Sequence, residues 1–328
     1  MAVISILAVE GGLYSNITAM HDAFYIAELW YRKFAGPSET PLFSTRIVTL
    51  DGNPVEACGG FKVTPECAIV DAGYSDYMII TPNLPHLTDM PKHIDHLCSH
   101  LTGIMDTGTT IATVCTGSFI LAETGLLNGK RATTNWQFAR MFKKKYPLVR
   151  LEPDQALVQD GNIITTGAVT SVYGLILNMI KEIATPSLAA LVSKALLIEG
   201  GRTEQTPYML YSPSKSHGDD QVLEAQNYIE KKFAQITSMD DVAKEVGVSP
   251  RNLIRRFKKA TGDPPLKYLQ QIRIQKAKEK LETTKDTVDE ITWAVGYKDI
   301  SSFGRLFKQY TQLSPRTYRE KFALPDRY

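Results

Sequence analysis

The 328-residue sequence predicts two domains of different class: a doubly wound α/β domain with a mostly parallel sheet, followed by an all-α domain. Between residues 2 and 198, short β-rich apolar runs alternate with helical patterns, as in parallel sheets covered by helices. Residues 221–322 show helical periodicity throughout and contain an internal repeat. The charge also divides, with 15 Lys and Arg against 19 Asp and Glu in residues 1–214, and 22 against 16 in residues 215–328. A basic C-terminal third is typical of a nucleic-acid-binding module.

The elements of the first domain follow from the apolar runs. Five strand regions are predicted, the last holding two strands, at 3–9, 44–50, 77–81, 110–114 and 156–166. Helices are predicted near 17–33, 91–103, 117–125, 135–146 and 168–182. Residues 200–220 are rich in Gly, Pro, Ser and charge, and they predict a linker. The predicted domains are therefore 1–199 and 221–328.

The second domain repeats itself at a distance of 50 residues. LIRRFKKATGDPPLKY (253–268) aligns with FGRLFKQYTQLSPRTY (303–318). Six residues recur 50 positions later: Arg255, Phe257, Lys258, Thr261, Pro265 and Tyr268. Upstream, each copy has a short apolar helix that ends at a glycine, Gly247 or Gly296. Helix, glycine-containing turn and second helix are the signature of a DNA-binding helix-turn-helix.

The second helix of each copy carries side chains suited to DNA. Ser249 and Asp299 are the predicted N-caps, with Pro250 at the first position of the first copy. Arginine pairs bidentately with guanine and asparagine with adenine. The predicted base-reading residues are Arg251, Asn252, Arg255, Ser301, Ser302 and Arg305. The predicted phosphate contacts, which position the domain without selecting sequence, are Arg256, Lys258, Lys259, Lys308 and Arg316.

These motifs carry a family resemblance. Residues 221–322 resemble the AraC-type DNA-binding domain, in which a long helix, here 266–284, bridges two helix-turn-helix units. The resemblance implies that one chain inserts both recognition helices into successive major grooves of double-stranded DNA. That geometry requires a separation of about 34 Å, one helical turn.

A second resemblance starts from Cys115, which follows an apolar run and precedes the small residues of a helix start, as in a nucleophile elbow. VCTGSFILAETGLLNGKRATTNW (114–136) and DGNIITTGAV (160–169) resemble the ThiJ/PfpI branch of the class I glutamine amidotransferase-like superfamily. The resemblance implies a flavodoxin-like fold over about residues 2–198. It also implies a cysteine nucleophile with a histidine or acidic partner and backbone N–H groups as an oxyanion hole.

Three departures from that family's pattern predict that catalysis is lost. The acidic position aligns with Leu13, the Gly-Gly pair is Pro82–Asn83, and the histidine is Asn135. Proline has no N–H to donate, and an asparagine side chain cannot act as a base. We therefore predict a small-molecule sensing pocket and not an enzyme. Its predicted lining residues are Glu10, Asn83, Cys115, Thr116 and Asn135.

Other roles for Cys115 remain open at this point. The thiol could be a redox sensor or a small buried hydrophobe. An amidase or hydratase with an accessory DNA-binding domain is the alternative function, and a regulator whose first domain only dimerises is a third.

The remaining features of the sequence predict no cofactor, metal site or membrane span, and they predict an effector and a second copy of the chain as partners. No cofactor motif is found, and His96 and His100, with His93 nearby, lack the second ligand cluster that a metal site needs. Four cysteines without a C-x-x-C pair indicate reduced thiols in a cytoplasm. No apolar run reaches the roughly 18 residues of a membrane span. We expect an unidentified small-molecule effector and a homodimer, with the aromatic run from Tyr25 to Phe34 as core or dimer surface.

Overall fold

The computed structural model describes residues 1–36, 40–83, 93–199 and 203–323. It divides the chain into two compact units, Met1–Gln205 and Thr206–Tyr328, called here the N-terminal and C-terminal units. The division falls inside the segment predicted as a linker. Residues 203–205 belong to the N-terminal unit, and the segment from Thr206 onwards belongs to the C-terminal unit.

The described part of the N-terminal unit contains strands and helices in alternation. The strands are β1 (Ala2–Leu7), β2 (Phe43–Thr49), β3 (Val55–Glu56), β4 (Lys62–Val63), β5 (Cys67–Ala68), β6 (Tyr77–Ile80), β7 (Thr110–Thr113), β8 (Arg131–Ala132), β9 (Arg150–Leu151), β10 (Leu157–Asp160) and β11 (Ile163–Thr166). The helices are α1 (Tyr14–Ala35), α2 (Ile94–Asp106), α3 (Gly117–Glu123), α4 (Ala139–Lys145), α5 (Ser171–Ile183) and α6 (Pro186–Ala195). The predicted elements are found with shifted ends, and residues 91 and 92 of the helix predicted over 91–103 lie outside the described residues. Helix α6 and the two-residue strands were not predicted. A strand of two residues is too short to show a periodicity.

The main sheet has the order β10-β11-β7-β6-β1-β2-β5, and only the β10–β11 pair is antiparallel. Strand β1 lies between β2 and β6, with Ile4 paired to Thr45 on one side and to Tyr77 on the other. The chain therefore winds in both directions from β1. The doubly wound, mostly parallel sheet predicted from the alternation is confirmed. In such sheets ligands bind beyond the carboxyl ends of the strands where the winding reverses, which here are β1 and β6.

Both faces of this sheet are buried. Alternate residues of β1 enter two different cores, Ile4 and Ile6 on one face and Leu7 on the other, as the two-residue period of a strand requires. Helices α1, α5 and α6 cover the first face, and α2, α3 and α4 cover the second.

The C-terminal unit is helical over its described length. Its helices are α7 (Asp220–Lys232), α8 (Met239–Glu245), α9 (Pro250–Thr261), α10 (Pro265–Thr283), α11 (Val288–Ala294), α12 (Ile300–Thr311) and α13 (Pro315–Phe322). One core joins α7, α8 and α9 to the first half of α10, and a second joins α11, α12 and α13 to its second half. Helix α10 is thus the predicted bridging helix, and the two helix-turn-helix units predicted from the repeat are present.

Candidate functional site

The first candidate site is the elbow that follows β7. Cys115 has φ 55°, in the left-handed region that residues other than glycine rarely adopt. The conformation is held from several sides: the Cys115 N–H donates to Thr166 O (3.1 Å), and Cys115 O accepts from Ser118 Oγ (3.0 Å) and Thr134 Oγ1 (3.2 Å). A strained backbone persists only where its surroundings determine it this strongly. The predicted elbow geometry is therefore present.

The Cys115 thiol is fully buried and faces an amide. Its exposed fraction is 0%, and Asn135 Nδ2 lies 3.4 Å from Sγ. Burial raises the pKa of the Cys115 thiol, and hydrogen bonds from Asn135 and Thr116 offset only part of that rise. The thiol is consequently neutral near pH 7, whereas the nucleophilic form of cysteine is the thiolate.

The position of the expected oxyanion hole is occupied by other contacts. Pro82 has no N–H, and the Asn83 N–H donates to Thr116 Oγ1 (3.1 Å), whose hydroxyl lies 3.1 Å from Asn83 O. Asn83 is 5% exposed, and its Oδ1 has no hydrogen-bond partner in the described part of the chain. The Asn83 N–H is thus bound to Thr116, whereas an oxyanion hole would need such a donor to be free.

The structure brings four of the five predicted pocket residues together, Asn83, Cys115, Thr116 and Asn135, and does not bring Glu10 to them. The Glu10 side chain is exposed, and its Oε2 accepts from the Glu56 N–H (3.1 Å), on the β3–β4 hairpin. The predicted pocket role of Glu10 is corrected accordingly. The loop after β1 turns this carboxylate toward the hairpin, a direction that no local sequence pattern indicates.

Sequence reasoning missed Gln205, the last residue of the N-terminal unit. Gln205 is 4% exposed, and its Nε2 lies 2.9 Å from Thr134 O, 2.9 Å from Pro153 O and 3.0 Å from Gln155 O. The Gln205 side chain packs closely over Gly167, so a side chain at position 167 would force Gln205 to move. No sequence signal marked Gln205, because it stands in a polar segment with linker composition.

The second candidate site is the pair of second helices in the repeat. Ser249 Oγ accepts from the Asn252 N–H (3.3 Å) at the start of α9, and Asp299 Oδ2 accepts from the Ser302 N–H (2.7 Å) at the start of α12. Both predicted N-caps are confirmed. Each cap satisfies a backbone N–H of the first turn and so fixes the start of its helix.

The exposed face of each of these helices carries the predicted base-reading side chains. Arg251, Arg255 and Arg305 are exposed. Arg255 Nη2 donates to Asn252 Oδ1 (2.9 Å), and Arg305 Nη2 donates to Ser302 Oγ (3.0 Å). The same pair of positions is thus joined in both copies, which orients each arginine along its helix. Ser301 is exposed as well.

The predicted phosphate contacts divide into two groups. Lys258, Lys259 and Lys308 are exposed on their helices. Arg316 is also exposed, and its Nε lies 3.0 Å from Glu320 Oε1. Arg256 differs: its guanidinium donates to both carboxylate oxygens of Asp219, at 2.7 and 3.1 Å, and to Gln221. This side chain ties α9 to the start of α7, so its predicted phosphate role is replaced by a structural one.

Two buried cations hold helix α10 in place. Arg273 donates to Phe233 O (2.8 Å) and Ile236 O (2.7 Å) at the end of α7. Lys278 Nζ donates to Met209 O (2.6 Å), and burial lowers the pKa of Lys278 to about 8. Buried charges need such partners, so these residues serve the bridging helix and not DNA.

Comparison with known proteins identifies both units. A model of the DJ-1/PfpI family matches residues 42–182, and a model of a helix-turn-helix domain matches residues 242–321. The HTH-type transcriptional regulator CdhR of Pseudomonas aeruginosa is 26% identical over 286 residues, which cover 87% of this chain and 83% of CdhR. The HTH-type transcriptional regulator GlxA of Rhizobium meliloti is 27% identical over 217 residues, 65% of this chain and 66% of GlxA. The chain therefore combines a DJ-1/PfpI domain with a helix-turn-helix domain, and relatives that match most of its length are named HTH-type transcriptional regulators.

A solved structure shares a fold with this chain. An AraC family transcriptional regulator from Pseudomonas putida matches with a TM-score of 0.51 and 16% identity, over 60% of this chain and 100% of that one. Within the residues described, no helix of the chain is long and apolar enough to cross a membrane. Among those same residues, no three His, Cys, Asp or Glu side chains are grouped to hold a metal ion.

Proposed function

We propose that the N-terminal unit is a non-catalytic sensor whose elbow pocket, formed by Asn83, Cys115, Thr116 and Asn135, responds to a small molecule and controls DNA binding. The observation that carries this proposal is the fully buried Cys115 thiol facing the Asn135 amide. Acyl transfer would need a thiolate, a base and an oxyanion hole. The described surroundings of Cys115 supply amide and hydroxyl groups instead, which suit recognition of a polar ligand.

A hydrogen-bonded chain supports control of the DNA-binding unit from this pocket. Thr134 Oγ1 donates to Cys115 O, and Thr134 O accepts from Gln205 Nε2. Gln205 directly precedes the C-terminal unit in the chain. A ligand that shifts the elbow would therefore move the anchor of the segment leading into the DNA-binding helices. Such control requires two states with different ligand affinity.

We assign DNA recognition to the exposed side chains of α9 and α12. Arg251, Asn252, Arg255, Ser301, Ser302 and Arg305 read bases, and Lys258, Lys259, Lys308 and Arg316 contact phosphates. Their exposure on capped helix starts supports this assignment. Because the regulator acts on DNA, we place it in the cytoplasm.

We also propose that the regulator is a homodimer that associates through α1. Tyr14, Tyr25 and Leu29 lie on one face of this helix and are 38%, 63% and 50% exposed. Tyr14 stacks on Phe61 of the β3–β4 hairpin, itself 59% exposed, with ring centroids 5.3 Å apart. Large apolar side chains left exposed on one face of a helix are typical of a protein interface. Light scattering of Tyr25→Asp should show a monomer, and a dimer that survives this change would contradict the assignment.

The experiment that tests the sensor begins with a genome-wide survey of binding sites, since the regulated genes supply both an operator and candidate effectors. DNA binding is then titrated for the full chain and for Cys115→Ser and Asn135→Ala. We expect both variants to bind the operator with wild-type affinity and to lose the response to the effector. The effector should also raise the thermal stability of the wild type alone.

The rival function, an amidase or hydratase with a DNA-binding tail, is tested with the same proteins. If the wild type turns over an amide or hydration substrate and Cys115→Ser does not, the non-catalytic assignment is wrong.

A further inference from the structure

The N-terminal unit contains a cavity well separated in sequence from the elbow. It has a volume of about 630 Å³ and lies between helices α5 and α6, with β10 and residue Thr203 completing its wall. Small-molecule sites typically have volumes of about 300–1,000 Å³. The volume therefore matches a metabolite.

The walls of this cavity are mainly apolar, with one polar group that lacks a partner. Leu157, Leu177 and Ala190 contribute apolar surface. Asn178 also lines the cavity, and its Nδ2 is buried without a hydrogen-bond partner in the part of the chain described. A buried donor left unpaired is costly, so the cavity offers a place for an acceptor oxygen of a ligand.

The charge at the cavity is positive. Lys181 of α5 and Lys194 of α6 line it, and both side chains are exposed to solvent. Lys181 Nζ lies 3.9 Å from Glu182 Oε1, an exposed pair that contributes little. No acidic residue is among those that line the cavity. We infer that this cavity binds a small organic carboxylate, with its apolar body against Leu157 and Leu177 and a carboxylate oxygen accepting from Asn178.

The cavity wall includes the segment that leads into the DNA-binding unit. Thr203 O accepts from the Ala156 N–H (2.8 Å), and Glu204 pairs with Gln155, another residue of the wall. Gln205 donates to Gln155 O. A carboxylate in the cavity therefore stabilises residues 203–205 in their docked position on the segment that leads into β10. This second site goes beyond the sensor proposed at the elbow and acts on the same segment from its other side.

Gly174 provides a way to close the cavity without disturbing the fold. It lies in α5, lines the cavity, and a Cβ added there meets no atom within 4 Å. Leucine and alanine both favour a helix more than glycine does, so both variants should fold. Gly174→Leu adds a branched side chain at the wall of the cavity, whereas Gly174→Ala adds one methyl group and serves as the matched control.

Hexanoate is the probe, with hexanamide and hexylamine as its neutral and cationic counterparts, tested on the full chain by calorimetry. We expect binding in the order hexanoate, hexanamide, hexylamine. Gly174→Leu should abolish hexanoate binding while Gly174→Ala retains it. Asn178→Leu should weaken it roughly tenfold, the loss of a charge-assisted hydrogen bond. Hydrogen exchange gives the second readout, since hexanoate should slow exchange of the Ala156 and Gln205 amides.

The outcomes that overturn this inference are distinct from those that bear on the elbow. Absence of hexanoate binding, equal binding by Gly174→Leu, preference for hexylamine, or unchanged exchange at Ala156 and Gln205 would each contradict it. Cys115→Ser should bind hexanoate with wild-type affinity. If Cys115→Ser instead loses hexanoate binding, the ligand occupies the elbow and the second site is wrong.

Discussion

The two helix-turn-helix copies share their internal contacts and differ in what surrounds them. After α9, Thr261 Oγ1 donates to Phe257 O (2.8 Å) and accepts from the Asp263 N–H (3.2 Å). After α12, 50 residues later, Thr311 makes the corresponding contacts at the same distances. The sequence repeat is therefore a repeat of hydrogen bonds, which explains why these positions keep their residue type.

The differences lie at the edges of each copy. Tyr268 Oη donates to Glu230 of α7 (2.6 Å), whereas its counterpart Tyr318 donates to Glu282 of α10 (2.5 Å). Helix α10 thus supports the second copy as α7 supports the first. The tie between Arg256 and Asp219 belongs to the first copy, because position 306 is a leucine. Equivalent helices can consequently be compared by substitutions at equivalent positions.

The largest expected effect concerns the two equivalent arginines. Arg255→Ala and Arg305→Ala should each remove about 1–3 kcal/mol of discrimination at one base pair. The loss should leave α12 less selective than α9, because α9 keeps Arg251 where α12 has Ser301. Binding-site selection with each variant measures this. An unchanged footprint in the double variant would remove the assigned readout.

Substitutions at the C-caps of α9 and α12 should change the stability in opposite directions. The C-cap is Gly262 (φ 87°) after α9 and Gln312 (φ 61°) after α12, both left-handed. Because only glycine adopts this conformation at little cost, Gly262→Ala should destabilise and Gln312→Gly should stabilise, each by about 1 kcal/mol. Calorimetric unfolding of the full chain checks both. A loss of stability in Gln312→Gly would show that the side chain of Gln312 has a compensating contact.

Substitutions of Arg256 and Lys258 in α9 should have different effects, the first on stability and the second on DNA affinity. Arg256→Ala should lower the unfolding temperature and leave the salt dependence of DNA affinity unchanged, because its guanidinium is bound to Asp219. Lys258→Ala, the matched control, should keep the unfolding temperature and weaken all DNA sequences alike. Its log–log salt slope should fall by about 1. A reduced slope in Arg256→Ala would restore the phosphate role.

The smallest expected difference is a dependence on pH. Hydrogen bonds from Ser302 lower the pKa of Asp299, whereas the Ser249 cap of the first copy does not titrate. A lowered folded-state pKa contributes stability that is present above the usual Asp value of about 4 and is lost as the pH falls through the lowered value. Acid unfolding of Asp299→Ser, compared with the wild type, should lack this component. Identical pH profiles would mean that the carboxylate charge does not contribute.

Much of the fold was predictable because its signals are local. Alternating apolar runs marked the long strands, and cap residues marked the starts of α9 and α12. The 50-residue repeat marked both helix-turn-helix units. The two-residue strands β3, β4, β5, β8 and β9 were missed, since they are defined only by their pairing. Helix α6 was also missed, although Thr185 caps it and Pro186 begins it.

In the candidate sites too, the features with a local sequence signal were predicted and those that depend on distant contacts were not. The sequence by itself determined the elbow at Cys115, the absence of a base at Asn135 and the basic faces of α9 and α12. Only the tertiary structure decided that Glu10 bonds to Glu56, that Arg256 binds Asp219, and that Gln205 anchors the segment before the C-terminal unit. The physical reason is range: caps and periodicities join residues three or four positions apart, whereas these partners are 37 to 71 positions apart, and only the packed chain brings them together.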